Sequence, residues 1–183
     1  MTEDTRVTAA KKLISFLSSV GIRSVVCGGY ARDTLLDRPI KDADLSVSFS
    51  DYHRTVDLLR QPADIAMRTT RLPADDARYV HAGICAQEEF ELDGDLEFGL
   101  PTRTINVIGQ RGSVDGPTIV SHVNFGLCKA YIDAEGLRGT DDFWADVRDE
   151  QITLLRTDWG LEGSLKHFLR MQKKYPWPMR VRG

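Results

Sequence analysis

Cysteine is scarce. Cys27, Cys85 and Cys128 are the only three in 183 residues, and no two are close in sequence. An odd, scattered set argues against a disulfide framework or a cysteine-rich zinc site and fits a reducing, cytoplasmic setting. The four histidines, His53, His81, His122 and His167, show no metal-ligand spacing. No apolar run approaches the ~20 residues of a membrane span. The N-terminal Met-Thr-Glu-Asp-Thr-Arg is too acidic and polar for a signal peptide. A surplus of positive charge is missing as well. The net charge of −3 argues against nucleic acid coating the whole surface and leaves room for a local basic patch.

What remains is an ordinary globular composition. Hydrophobic residues at 42% and charged residues at 28% are enough to fold, which rules out disorder. At roughly 150 residues per domain the chain makes one domain with a small appendage. We expect an α/β (α+β) domain over residues 1–160 and a basic C-terminal tail or helix over residues 161–183.

Val7, Ala10, Leu13, Ile14, Leu17 and Val20 recur at helical spacing, and Gly21 follows as a stop. Residues 22–27 are rich in β-branched side chains and predict a buried strand ending at Gly28-Gly29. A short helix with Leu35 and Leu36 inward follows. Residues 42–49 alternate: Ala43, Leu45, Val47 and Phe49 face one side, and Asp42, Asp44, Ser46 and Ser48 the other. That pattern predicts a strand with one face on the core and one face open. Ser50-Asp51 can cap a helix over residues 52–60. Asp93-Gly94-Asp95 between alternating runs signals a hairpin. A further strand is expected at residues 104–108, ending in a loop that begins at Gly109. Residues 125–132 fit either strand or helix, and residues 141–150 a helix around Phe143, Trp144 and Val147. Trp144, Phe143 and Trp159 are expected in the core.

One segment carries chemistry: Gly28-Gly29-Tyr30-Ala31-Arg32-Asp33, then Lys41-Asp42-Ala43-Asp44-Leu45. A glycine pair between strand and helix removes side chains where a ligand must approach backbone. The helix start beyond it suits a phosphate. Asp42 and Asp44, at i and i+2 on a strand, share a face with Cα atoms roughly 6.6 Å apart. Two carboxylates so placed repel unless a cation lies between them. Hard oxygen donors of this kind suit Mg²⁺ (or Mn²⁺), which completes its shell with substrate phosphates. Together these are the minimal apparatus for phosphoryl or nucleotidyl transfer.

The order Gly-Gly, Arg-Asp, Leu-Leu, Lys-Asp-x-Asp-Leu over residues 25–49 resembles the nucleotidyltransferases of the DNA polymerase β superfamily, nearest to the tRNA CCA-adding and bacterial poly(A) polymerase branch. The resemblance implies a mixed sheet flanked by helices and transfer of a nucleoside monophosphate from a nucleoside triphosphate to an acceptor, with Mg²⁺ and release of pyrophosphate. It implies metal ligation by Asp42 and Asp44, nucleotide binding by Gly28, Gly29, Tyr30 and Arg32, and charge neutralisation by Arg32 or Lys41. Ile105-Asn106-Val107-Ile108, Asn124-Phe125-Gly126-Leu127-Cys128 and His167…Arg170…Lys174-Tyr175-Pro176 are also similar to small nucleotidyltransferase-like proteins of tailed phages.

The superfamily has a third carboxylate on a neighbouring strand, and the matching position here is Asn106. Glu97, Asp93 and Asp95 are the acidic alternatives, and Asn124 is a second uncharged one. The acceptor is an RNA 3′ end (tRNA included), a protein or a small molecule. A chain of 183 residues has no room for the large helical region by which CCA-adding enzymes hold tRNA, so CCA addition itself is not expected. The rival reading is a catalytically degenerate binding or regulatory protein on the same fold. Lys166, Arg170, Lys173 and Lys174, at helical spacing near aromatics, are the RNA-binding candidates.

Overall fold

The first helix forms where the apolar spacing predicts it. In α1 (Thr5–Ser19) the Asp4 carboxylate caps the first turn by accepting the Arg6 N–H at 2.8 Å. Leu13 and Leu17 are fully buried, each contributing ~1.5–3 kcal/mol of apolar transfer. The computed structural model describes residues 4–60, 70–71, 83–91, 98–158 and 160–182.

Seven strands follow in one sheet: β1 (Ser24–Cys27), β2 (Ala43–Ser48), β3 (Thr70–Arg71), β4 (Ile84–Glu91), β5 (Thr104–Gln110), β6 (Ala130–Asp133) and β7 (Gly136–Gly139). Their order is β3-β4-β5-β2-β1-β6-β7. The β2–β5 pair is parallel and the remaining pairs are antiparallel, so the sheet is mixed, as expected. A parallel pair requires a crossover, and the chain between β2 and β5 supplies it through α3 (Phe49–Arg60) and β4.

One face of the sheet carries the main core. Ala43, Leu45, Val47, Ile105 and Val107 meet α1, α2 (Gly29–Leu35) and α3 there. The other face is partly covered as well. Val25, Cys27 and Tyr131 pack with Val114, Ile119 and Val120 of α4 (Gly116–Ser121) and the loop before it. The expectation of an open polar face on β2 therefore fails at Ser46, which is completely buried. Asp42 and Asp44 remain half-buried.

Strand β5 runs to Gln110, two residues past the expected strand end at Ile108. Gly109 stays in the strand because α3 lies against it: a Cβ there would sit 3.1 Å from the Tyr52 ring. Residues 125–132 contain both forms, a 3₁₀ turn over Gly126–Cys128 and then β6. In α5 (Asp141–Asp149) Phe143 is buried, but Trp144 is 46% exposed, contrary to the expected core position. The two lie on adjacent helical positions, about 100° apart, and cannot both face inward.

Beyond β8 (Ile152–Leu154) lie α6 (Leu161–Gln172) and β9 (Met179–Val181), which pairs in parallel with β8. Phe168, Met171 and Tyr175 join the same apolar cluster as Leu13 and Leu45. Among the described residues no helix is long and apolar enough to cross a membrane. The expected hairpin turn at 93–95, with Glu97, Trp159 and His81, lies outside the described residues.

Candidate active site

Gly28 follows the last residue of β1 and turns the chain with φ +66°, a conformation glycine adopts without penalty. The turn brings the glycine pair against Asp42, just before β2, and Asp44 within it. A Cβ on Gly28 would lie 3.2 Å from Asp44 Oδ2, and one on Gly29 would lie 3.9 Å from Asp42 Oδ1 and 3.6 Å from Arg32 Nη2. Gly28, Gly29, Asp42, Asp44 and Arg32, singled out from sequence, thus converge on one cradle. Tyr30 does not join it. The ring is fully buried and its hydroxyl donates to the Arg6 carbonyl at 2.8 Å, so it braces α1 and is closed to a nucleotide.

Strand register sets the immediate neighbours. Asp44 pairs with Cys27 on β1 and with Asn106 on β5. Asn106 Nδ2 donates to Asp44 Oδ1 at 2.9 Å. Asn106 itself is 6% exposed, and its Oδ1 has no partner. Burial raises the Asp44 pKa, with help from the Asp42 charge, and outweighs the Asn106 hydrogen bond and the Lys41 and Arg32 charges, so the carboxyl is pushed up to about 6. A carboxylate so disfavoured gains most from a cation. Asp42 pairs with the exposed Lys41 ammonium at 3.1 Å, and Thr102 pins the chain there by donating to the Lys41 carbonyl at 2.6 Å.

The donors here are two carboxylate groups and one unpartnered amide oxygen. All are hard oxygen, and they fit Mg²⁺, which takes one or two carboxylates and completes its shell elsewhere. Among the described residues no group of three His, Cys, Asp or Glu could hold a metal. The position of the expected third carboxylate is therefore neutral at Asn106.

Arg32 is locked from behind. Its Nε donates to Asp33 Oδ1 at 2.7 Å, its Nη1 to Cys128 Sγ at 3.6 Å, and its guanidinium lies 5.2 Å from the Tyr175 ring centre. Asp33 also accepts from the Tyr175 hydroxyl at 2.6 Å and from Lys174 Nζ. Burial opposes the Asp33 charge, but Arg32, Lys174 and Tyr175 outweigh it and hold the carboxyl below its usual range. Lys174 also donates to the Pro39 carbonyl at 2.7 Å.

This corrects the expected basic face. Helix α6 ends at Gln172, so Lys174 leaves the row and turns inward to α2. Lys166, Arg170 and Lys173 stay exposed, with Lys166 paired to Glu162 at 2.7 Å. The brace from Tyr175 to Asp33 spans 142 residues of sequence, and no local pattern announces it.

No protein-family model and no curated protein matches the sequence significantly. Solved structures do match in three dimensions. A Thermotoga maritima CCA-adding enzyme complexed with tRNA aligns with a TM-score of 0.63 at 16% identity, over 94% of this chain and 38% of that one. A CCA-adding enzyme in complex with ATP gives 0.62 at 18% identity, over 94% and 39%. A tRNA nucleotidyltransferase with a primer tRNA and an incoming ATP analogue gives 0.61 at 14% identity, over 92% and 46%. The chain thus spans about two fifths of the length of these neighbours. At such identities the likeness establishes the fold, which is of the nucleotidyltransferase type.

Proposed function

We propose that the chain binds a nucleoside triphosphate with Mg²⁺ and transfers its nucleotidyl group to a hydroxyl acceptor, releasing pyrophosphate. The observation that carries this reading is the approach of the Gly28-Gly29 bend to the carboxylates of Asp42 and Asp44. Asp42 and Asp44 hold the cation, with the free Oδ1 of Asn106 as a neutral third donor. Held there, Mg²⁺ would supply positive charge to offset the negative charge of the triphosphate. The bend admits phosphate oxygens close to the backbone because no side chain occupies that space. Arg32, fixed by Asp33, presents Nη2 beside Gly29 and neutralises phosphate charge there. Lys41, exposed at the rim, does the same from the solvent side.

The CCA-adding neighbours, complexed with ATP and with tRNA, favour a nucleoside triphosphate and an RNA acceptor for this chain. The exposed Arg170 and Lys173 of the C-terminal region are the groups to hold an RNA backbone. Incubation with each α-labelled triphosphate, Mg²⁺ or Mn²⁺, and RNA tests the reading. Label on RNA 3′ ends supports it. Nucleotide binding with no label on RNA, on protein or on small hydroxyl compounds overturns it.

Asn106 favours one alternative. A neutral residue beside Asp44 leaves the site with two carboxylates, enough to hold one cation with a triphosphate but weak for the two-metal route. On that reading the chain is a nucleotide-binding protein without turnover, and Asn106→Asp would increase metal affinity and bring about label transfer that the natural chain lacks.

A further inference from the structure

A thiol, a thioether and an imidazole meet behind Arg32. His167 and Met171 stand four residues apart on α6 and so share one face of the helix. Cys128, the last residue of the 3₁₀ turn, comes up against that face. Its thiol donates to Met171 Sδ at 3.2 Å, and its Sγ lies 3.9 Å from His167 Nε2. The Phe125 ring meets the imidazole edge-on, with centres 5.3 Å apart, and helps to hold its orientation. Arg32 Nη1 donates to the same sulfur at 3.6 Å, while its Nη2 lies beside Gly29. Cys128 and Met171 are each 4% exposed, and the half-buried His167 opens the cluster to solvent.

A buried free cysteine is most often a small core residue among apolar neighbours. Cys128 instead meets a thioether, a ring nitrogen and a guanidinium at one point. Metal bonds of roughly 2.0–2.3 Å, the lengths zinc makes to nitrogen and sulfur, set the donors of a trigonal centre about 3.5–4 Å apart. The Sγ–Nε2 spacing of 3.9 Å already meets this. The Sγ–Sδ spacing has to open slightly, which a flexible methionine side chain allows. Thiolate and thioether are soft donors, imidazole accepts copper as well as zinc, and the set selects Cu(I) over a hard cation. Charge points the same way. Cu(I) replaces the thiol proton one for one, so the pocket gains no net charge. A divalent ion would add a positive charge next to a guanidinium that is itself buried.

We propose that Cys128, His167 and Met171 bind one Cu(I) ion. The Cys128 S–H bond breaks, its proton leaves to solvent, and the electron pair left on sulfur forms the Cu–S bond. His167 Nε2 and Met171 Sδ each donate a lone pair, and copper keeps its oxidation state. The Arg32 N–H then donates to a thiolate, a stronger acceptor than the thiol. The three ligands are separate from the Asp42 and Asp44 carboxylates, so copper binding does not depend on nucleotide or Mg²⁺.

The test is an anaerobic titration of the reduced chain with Cu(I) against a chromogenic Cu(I) chelator, with ascorbate present. The natural chain is expected to withdraw one ion and to gain the near-ultraviolet absorption of a copper thiolate. Cys128→Ser loses both. Met171→Leu and His167→Gln each weaken binding by at least the ~10–100-fold that disturbing the groups behind a metal ligand costs. Cys85→Ser and Asp44→Asn keep the ion, and excess Zn²⁺ does not displace it. A far-ultraviolet spectrum checks the fold of each variant. Should Cys128→Ser fail to fold, Met171→Leu, close in volume to the natural residue, decides the matter. A natural chain that takes no Cu(I) from the chelator overturns the site. So does binding that is lost in Cys85→Ser and kept in Cys128→Ser, the mark of an accessible thiol alone. Affinity unchanged in both Met171→Leu and His167→Gln overturns it as well.

Discussion

Asn106 donates its amide hydrogen to Asp44 across the parallel β2–β5 pair, at 2.9 Å. That bond holds one oxygen of Asp44 in place and helps to oppose the rise in its pKa. Asn106→Asp removes the donor and sets a second negative charge against a half-buried carboxylate. Without metal, the variant is expected to lose about 1–3 kcal/mol. At 2–4 °C per kcal/mol for a domain of this size, its melting temperature falls by several degrees. Mn²⁺ restores more stability to the variant than it adds to the natural chain, and calorimetry with and without Mn²⁺ checks both parts.

Asp44 also sets a pH dependence. Its folded pKa, about 6, lies above the ordinary value of 3.8. The group therefore binds more protons folded than unfolded between those values, and its contribution to stability is full below 3.8 and lost as pH rises through 6. A cation removes that loss. Stabilisation by Mg²⁺ is expected to be large at pH 7.5 and to vanish near pH 5, read as the difference between melting curves with and without Mg²⁺.

His167 acts in the opposite sense. Burial, with the charges of Arg170 and Arg32, lowers its pKa from 6.5 to about 4. Between those values the unfolded chain binds the extra proton, so stability falls as pH drops through that window. His167→Gln removes this slope. The stability difference between the variant and the natural chain changes by up to roughly 3 kcal/mol from pH 7.5 to pH 4, which denaturant titration at several pH values measures.

Much of the site was legible because its parts are local. The glycine pair and the two aspartates lie within 17 positions of one another, and period-2 alternation puts both acids on one face before any fold is known. The reach of the patterns ended where contacts became long-range. Tyr30 sits inside the matched motif yet faces α1, since the phase of a short helix cannot be read from seven residues. The polar side of β2 reads as open, but Ser46 is buried there between Cys27 of β1 and Gln110 of β5, a packing that only the strand pairing reveals. Lys174 continues the basic spacing in sequence, but the helix ends two residues earlier and the side chain turns to Asp33.

The C-terminal brace makes a prediction of its own. Tyr175→Phe removes the 2.6 Å bond to Asp33 and leaves Arg32 less firmly held. A loss of about 1–3 kcal/mol is expected, together with weaker binding of triphosphates and unchanged binding of the nucleoside, which lacks the phosphates Arg32 would meet. Lys173→Ala, at an exposed position, stays within about 0.5 kcal/mol of the natural chain.

The most direct measurement is a titration of the natural chain and of Asp44→Asn with ATP and with CTP, each with and without Mg²⁺, alongside a far-ultraviolet spectrum of both proteins. We expect the natural chain to bind only with Mg²⁺, and Asp44→Asn to keep its fold and lose that binding. Equal affinity in the two proteins, with Mg²⁺ present, would contradict the assignment of Asp42, Asp44 and the glycine bend as a triphosphate site.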